Sequence, residues 1–331
     1  MKNQEKSKYK DERLKNEDIT IYKRNVLGEY LYHIRELKGY TMEEVCPGIC
    51  SVSTMSRAED GSRNVDYFVV AALFDRMKLP ENELELELFL ENEQYEIYCL
   101  RRNIVIFIEN EHYEQAEEVL AKYEKEVKEA GDLSFLQKQF VLYQRGILEQ
   151  RIKRLEKNEI SNIFEKAITL TAPDYQKKFE QREILSTTEL SCIAEIAYCK
   201  ENSPEKEYKF KDIYEYYQWC KKKEGVFPPS YRRAMQYYAE SLYAAEKYKE
   251  CIQICSEALE ELSTTSKLEN RCELRLLKAR SEKELGFQNK EQRKAYEDVL
   301  KSTYYVALVF HCNELLAEVK QYIEQEGMEV I

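Results

Sequence analysis

The chain has 331 residues, only 9 of them glycine and 6 proline, with 43% hydrophobic and 34% charged side chains. So few helix breakers in a sequence rich in Leu, Glu, Lys, Tyr and Ala predict an all-α protein. No run reaches the ~20 apolar residues of a membrane span, and the polar start MKNQEKSKYKDERLKNED lacks the apolar core of a signal peptide; the expectation is a cytoplasmic protein, off the membrane, whose ten cysteines stay reduced.

The net charge of −11 is unevenly divided. Residues 1–80 hold 14 Lys and Arg against 13 Asp and Glu, a net of +1, and residues 81–331 hold 37 against 49, a net of −12. The larger part should repel nucleic acid, and the first 80 residues need not.

Residues 1–24 read as a polar lead-in, with Lys15, Lys23 and Arg24 as candidate contacts to a phosphate backbone. Residues 25–80 carry four short helical patterns. In the first, Leu27, Leu31, Ile34 and Leu37 form an apolar stripe that stops at Gly39. Thr41 with Glu44 forms a capping box for a second, brief helix carrying Met42 and Val45 inward. Pro47-Gly48 ends it in a turn. Ser51 is the predicted N-cap of a third helix reaching Glu59, with Gly61 just beyond. The fourth spans about Val65 to Lys78, with Val69, Leu73 and Met77 on one face. Two short helices around a tight turn, framed by two more, make a helix-turn-helix.

Residues 81–94 read as a helical linker; Leu84, Leu86 and Leu88 alternate as in a strand, but Leu and Glu are strong helix formers and no partner strand is in sight. From residue 95 to 331 the chain reads as antiparallel helix pairs. The clearest is Tyr231 to Leu262, with Ala234, Tyr238 and Leu242 inward on its first helix. Tyr248, Cys251, Ile252, Cys255 and Leu259 point inward on its second, and Ala245-Glu246-Lys247 is the turn. Tyr113 and Ala116 echo Tyr248 and Cys251, and Ala167 with Pro173 closes another pair. The interval between Tyr113 and Tyr248 suits repeats of about 45 residues, longer than the ~34 of a strict tetratricopeptide. A degenerate tetratricopeptide-like solenoid, a superhelical array, is favoured over an irregular helical domain.

With those residues in view, LGEYLYHIRELKGYTMEEVCPGICSVSTMSRAEDGSR resembles the Cro/C1-type (XRE-like) helix-turn-helix over about 55 residues. The likeness rests on Leu27-Gly28, Ile34-Arg35, Gly39-Tyr40-Thr41, Glu43-Glu44, Ser51, Ser53-Thr54, Ser56-Arg57, Glu59 and Gly61. As an architecture, such a domain followed by tetratricopeptide pairs resembles the peptide-pheromone-responsive regulators of Gram-positive bacteria. The resemblance implies a homodimeric regulator that binds double-stranded DNA and a short signalling peptide. It also implies a structural pair, Arg35 of the first helix with Glu59 at the end of the third. Three positions depart from the family pattern: Met42 where Gln is usual, Ala58 where a large apolar residue precedes the Glu, and Asp60 where a basic residue follows. Each lowers the DNA affinity that the resemblance implies.

If the third helix enters a major groove, its exposed start presents Val52, Ser53 and Ser56 to base edges. Arg57 suits a guanine edge or a phosphate, and Lys38 and Arg63 suit phosphates. Ser51 and Thr54 are read as caps.

Little points to catalysis. His33, His112 and His311 are scattered, no phosphate-binding glycine loop and no G-x-S-x-G is present, and the chain is expected not to be an enzyme. Cys46 with Cys50, and Cys251 with Cys255, share a four-residue spacing that suits core thiols better than a metal site. No metal and no cofactor is expected. The 26 tyrosines suggest packing, and a groove for an extended peptide whose candidate contacts are Asn103, Gln144, Tyr198, Tyr238 and Arg275.

The resulting expectation is a sequence-specific transcriptional regulator whose helical-repeat domain senses a short peptide or a partner. The alternative is a tetratricopeptide-type protein-interaction module with a weak or non-DNA-binding helix-turn-helix. A peptide-regulated, phosphatase-like helper is a third reading.

Overall fold

The structure, a computed structural model, describes residues 27–63, 65–79, 92–129, 134–263 and 270–328. The lead-in and nearly all of the linker lie outside them. The described residues form sixteen helices and no strand.

The first four helices make a compact unit. In α1 (residues 27–37), Leu31 and Arg35 are buried, Leu27 and Ile34 half-buried, and Leu37 is 81% exposed. The expected stripe through Leu37 is therefore corrected. At about 100° per residue, ten steps from Leu27 carry position 37 off the face that 31 and 35 share. α2 (Met42–Val45) carries the predicted capping box: the Glu44 amide donates to Thr41 Oγ1 at 3.2 Å and the Thr41 amide to Glu44 Oε2 at 2.7 Å. α3 (Val52–Glu59) starts at Ser51, whose hydroxyl accepts from the Thr54 amide at 3.0 Å. α4 (Tyr67–Arg76) is shorter than expected at both ends. Asp66 caps it by accepting from the Phe68 amide at 2.8 Å, and Lys78 has turned out of the helix at φ 57°. Met55, Leu73 and Met77 are wholly buried between these helices. Each such burial contributes roughly 1.5–3 kcal/mol.

The rest is a superhelical array of antiparallel pairs. These are α5 (Asn92–Glu109) with α6 (Tyr113–Glu129), α7 (Phe135–Ile152) with α8 (Lys157–Thr171), and α10 (Thr187–Cys199) with α11 (Pro204–Glu224), the short α9 (Tyr175–Glu180) lying before α10. α12 (Tyr231–Ala244) with α13 (Tyr248–Ser263) and α14 (Arg271–Glu284) with α15 (Lys290–Val309) follow, and α16 (Asn313–Gln325) ends the array. The second helices open at Tyr113, Lys157, Pro204, Tyr248 and Lys290, so the period stays between 42 and 47 residues. One turn recurs without glycine: Glu111, Glu246 and His311 take φ of 58°, 58° and 56°. After each, the next amide reaches back to a helical carbonyl, His112 to Phe107 at 2.8 Å, Lys247 to Leu242 at 2.9 Å and Cys312 to Ala307 at 2.9 Å. In the clearest pair Ala234, Tyr238, Leu242, Cys251 and Cys255 are buried as expected, and Tyr248, Ile252 and Leu259 are half-buried. No helix among the described residues is long and apolar enough to cross a membrane.

Candidate nucleic-acid interface

α3 has two faces. Met55 and Ala58 are buried against the unit's core, and Val52, Ser53, Ser56 and Arg57 are exposed. Arg63 is exposed in the following turn. Asp60 accepts from the Ser62 amide at 2.8 Å; its hydrogen bonds from Ser62 hold the carboxyl below the usual carboxylate value. The acidic residue that departs from the family pattern thus shapes the turn after α3.

The helix is fixed from behind. Arg35 Nε donates to Glu59 Oε1 at 2.7 Å and Nη2 to Oε2 at 3.0 Å, a two-pronged pair with side chains 7% and 6% exposed. Arg35 also donates to the Tyr40 carbonyl at 2.8 Å and to Glu36 at 2.7 Å. The Glu59 partner foremost, the guanidinium is held above its ordinary value. α1 lies close enough to α3 that a Cβ on Gly28 would stand 2.3 Å from the Ala58 carbonyl oxygen, so only glycine fits there.

The ends of α1 and α4 and the turn after α2 are seated on the array, a feature the sequence did not reveal. Arg76, 2% exposed, donates to Glu189 at 2.5 Å, to the Val45 carbonyl at 3.2 Å and to the Pro47 carbonyl. Glu189 is itself fully buried and accepts from the Ser186 amide at 2.6 Å and the Thr171 hydroxyl at 2.7 Å. Gln139 Nε2 in turn donates to Thr171 at 2.6 Å, which continues the chain into α7. Lys78 Nζ donates to the Leu185 carbonyl at 2.5 Å, and Asp75 accepts from the Thr187 amide at 2.8 Å and from its hydroxyl. Ile184 completes the unit's apolar core from the array side. Lys38, expected at a phosphate, forms an ion pair with Glu224 at 2.8 Å; Glu224 also accepts from the Tyr40 hydroxyl. This seat leaves the outer face of α3 in solvent.

The five candidate peptide contacts lie on separate first helices of the array. Asn103 on α5 and Arg275 on α14 are exposed, Gln144 on α7 is buried, and Tyr238 on α12 is buried with its ring 6.2 Å from Phe210 and 6.3 Å from Tyr214. Tyr198 on α10 joins a polar cluster that the sequence reading missed. It stacks on Tyr237 at 3.9 Å, beside Glu195, which accepts from Arg233 at 2.8 Å, Tyr237 at 3.1 Å and Gln150 at 3.0 Å. Burial pushes the Tyr198 hydroxyl up to about 12. Gln150, Glu195 and Arg233 belong to α7, α10 and α12, so three successive first helices meet there. Among the described residues, no three His, Cys, Asp or Glu side chains gather as metal ligands.

No protein-family model and no curated protein matches this chain. Among solved structures, the chain is similar to Bacillus thuringiensis PlcR in complex with the peptide PapR7 and DNA, at 15% identity and a TM-score of 0.49, covering 88% of this chain and 98% of that one. A Listeria monocytogenes EGD-e protein assigned as a transcriptional regulator aligns at 14% identity and a TM-score of 0.45, over 92% of this chain and all of that one, 100%. The apo form of the competence regulator ComR from Streptococcus vestibularis aligns at 11% identity and a TM-score of 0.38, over 92% and 99%. The likeness is loose and concerns helical layout.

Proposed function

We propose that this chain is a DNA-binding transcriptional regulator, with α3 as its reading helix. The observation that carries the reading is the exposure of Val52, Ser53, Ser56 and Arg57 on a helix bolted from behind by Arg35–Glu59, a face that stays exposed with the unit seated on the array. In this reading Val52 meets a thymine methyl, the serines meet base-edge donors or acceptors, and Arg57 meets a guanine or a phosphate. Arg63 positions the protein on the backbone; Lys38 does so only when it leaves Glu224. Two-fold half-sites one turn apart (~34–36 Å) call for two reading heads, so the working unit is a homodimer. A short peptide is proposed to lie across the first helices of the array, with Tyr198 and the Glu195–Arg233 cluster as its anchor.

The test is fluorescence anisotropy with duplex DNA from upstream of the chain's own gene, in a salt series. Binding should weaken steeply with salt. Arg57→Ala should cost about 1–3 kcal/mol and relax one base position if it reads a base, or weaken all sequences alike if it holds a phosphate. No binding at low salt overturns the reading. It would favour a protein-interaction module, for which the exposed Glu43 and Glu44 on α2, packed beside α3, are the supporting observation.

A further inference from the structure

We infer that Cys46 and Cys50 form a peroxide-responsive dithiol, a modification site in the turn between α2 and α3. Their sulfurs are 3.9 Å apart, and the Cys50 amide donates to the Cys46 carbonyl at 3.0 Å, so the backbone already folds the two residues together. A disulfide needs ~2.05 Å between sulfurs, a movement of about 1 Å for each. Cys50 is half-buried and Cys46 buried, which gives one thiol that a small oxidant can reach and one that it reaches less easily. The same contact, with Arg76 nearby, draws the Cys50 thiol below its ordinary value, and that favours the attacking thiolate there.

The chemistry closes in two steps. The Cys50 thiolate attacks hydrogen peroxide; the O–O bond breaks, one oxygen stays on sulfur as sulfenic acid, and the other leaves as hydroxide. Cys46 then attacks the Cys50 sulfur; the S–S bond forms, the S–O bond breaks, and the departing hydroxide takes the Cys46 proton as water. Two thiols are oxidised by two electrons in all, and one peroxide becomes two waters. Reduction by a cytosolic thiol reverses it, as in transient redox-sensing disulfides.

The turn has structural reach. Val45 and Pro47 supply the carbonyls that hold Arg76, and Gly48 lies against the Thr171 backbone. Ser51, the cap of α3, follows Cys50 directly. Drawing the two sulfurs together therefore moves the seat of the unit on the array and the start of α3 at once. Cys251 and Cys255 share the spacing but are both fully buried, so they serve as an internal control.

The experiment uses the full chain, hydrogen peroxide as the probe, and thiol counting with peptide mass spectrometry. The denatured chain's thiol count should fall by two from ten, with a peptide carrying a 46–50 link about 2 Da lighter than its dithiol form, reversed by dithiothreitol. In Cys46→Ser the sulfenic acid on Cys50 should persist and take up dimedone several-fold more than in the wild type. Cys50→Ser should form no link. In the oxidised wild type the Thr187 amide, which bonds across the seat to Asp75, should exchange faster. A wild-type chain that stays unlinked at 46–50 under peroxide, or equal dimedone labelling of wild type and Cys46→Ser, overturns the inference. These readouts do not require DNA binding, so failure here and failure of the regulator reading are separable.

Discussion

At the scale of single residues, the Arg35–Glu59 pair has the clearest consequence. Both side chains are nearly excluded from water, so removing one leaves the other's charge buried. Loss of one partner in such a pair costs ~3–5 kcal/mol, whereas apolar replacement of both is often near neutral. Arg35 keeps Glu36 and the Tyr40 carbonyl after Glu59→Ala, but Glu36 is 53% exposed and a weak substitute. Glu59→Ala should therefore lower the melting temperature clearly in thermal unfolding followed by circular dichroism. The double variant Arg35→Met with Glu59→Leu should recover much of the loss. An unchanged melting curve for Glu59→Ala would sink the role given to the pair.

At the scale of elements, the turn between α2 and α3 joins two things, the start of α3 and the seat on α8. Gly48 has φ of 73°, and a Cβ there would stand 2.0 Å from the Thr171 carbonyl oxygen. Gly39 has a similar φ of 69° but open space around it. Gly39→Ala should cost only the left-handed penalty of roughly 1–2 kcal/mol. Gly48→Ala carries that penalty and a backbone collision in addition, so it should lower the melting temperature several degrees further; equal losses for the two variants would show that the close approach is not tight. The turn itself was legible from Pro47-Gly48, and so were the caps Thr41 and Ser51, because caps and turns depend on neighbours in sequence. Leu37 falls outside the buried face because a periodic stripe drifts over ten residues. The seat was not legible. Arg76 and Lys78 look like ordinary end-of-helix charges, and their partners, Glu189 on α10 and the Leu185 carbonyl just before it, lie more than a hundred residues away in sequence. A weak signal was present in SCIAEIAYC, where Glu195 stands in an apolar run and must find a partner. Which partner it finds, Arg233 on α12, is decided by the stacking of helix pairs and not by any local pattern.

At the scale of the whole molecule, the seat holds buried charged groups of both units, and these make it responsive to pH. Burial pushes the Glu189 carboxyl up, but the Arg76 charge and the hydrogen bonds from Ser186 and Thr171 outweigh it and bring the group below its ordinary value. A carboxyl whose folded value lies below its unfolded value stabilises the folded form at neutral pH, and that stabilisation is lost as pH falls through the folded value. Below that point Arg76 remains charged and buried, facing a neutral acid, and the seat should open before the array melts. The Thr187 amide reports the seat directly, since it bonds to Asp75 at 2.8 Å across the two units. Its hydrogen exchange, corrected for the intrinsic rate, should lose protection once acidification passes below the ordinary glutamate range, while an array-only amide such as that of Lys247, bonded to Leu242, keeps its protection. Glu189→Gln should show the reduced Thr187 protection already at neutral pH, and little further change with acid. Thr187 protection that is the same in both proteins across that range would mean that Arg76–Glu189 does not hold the first four helices on the array.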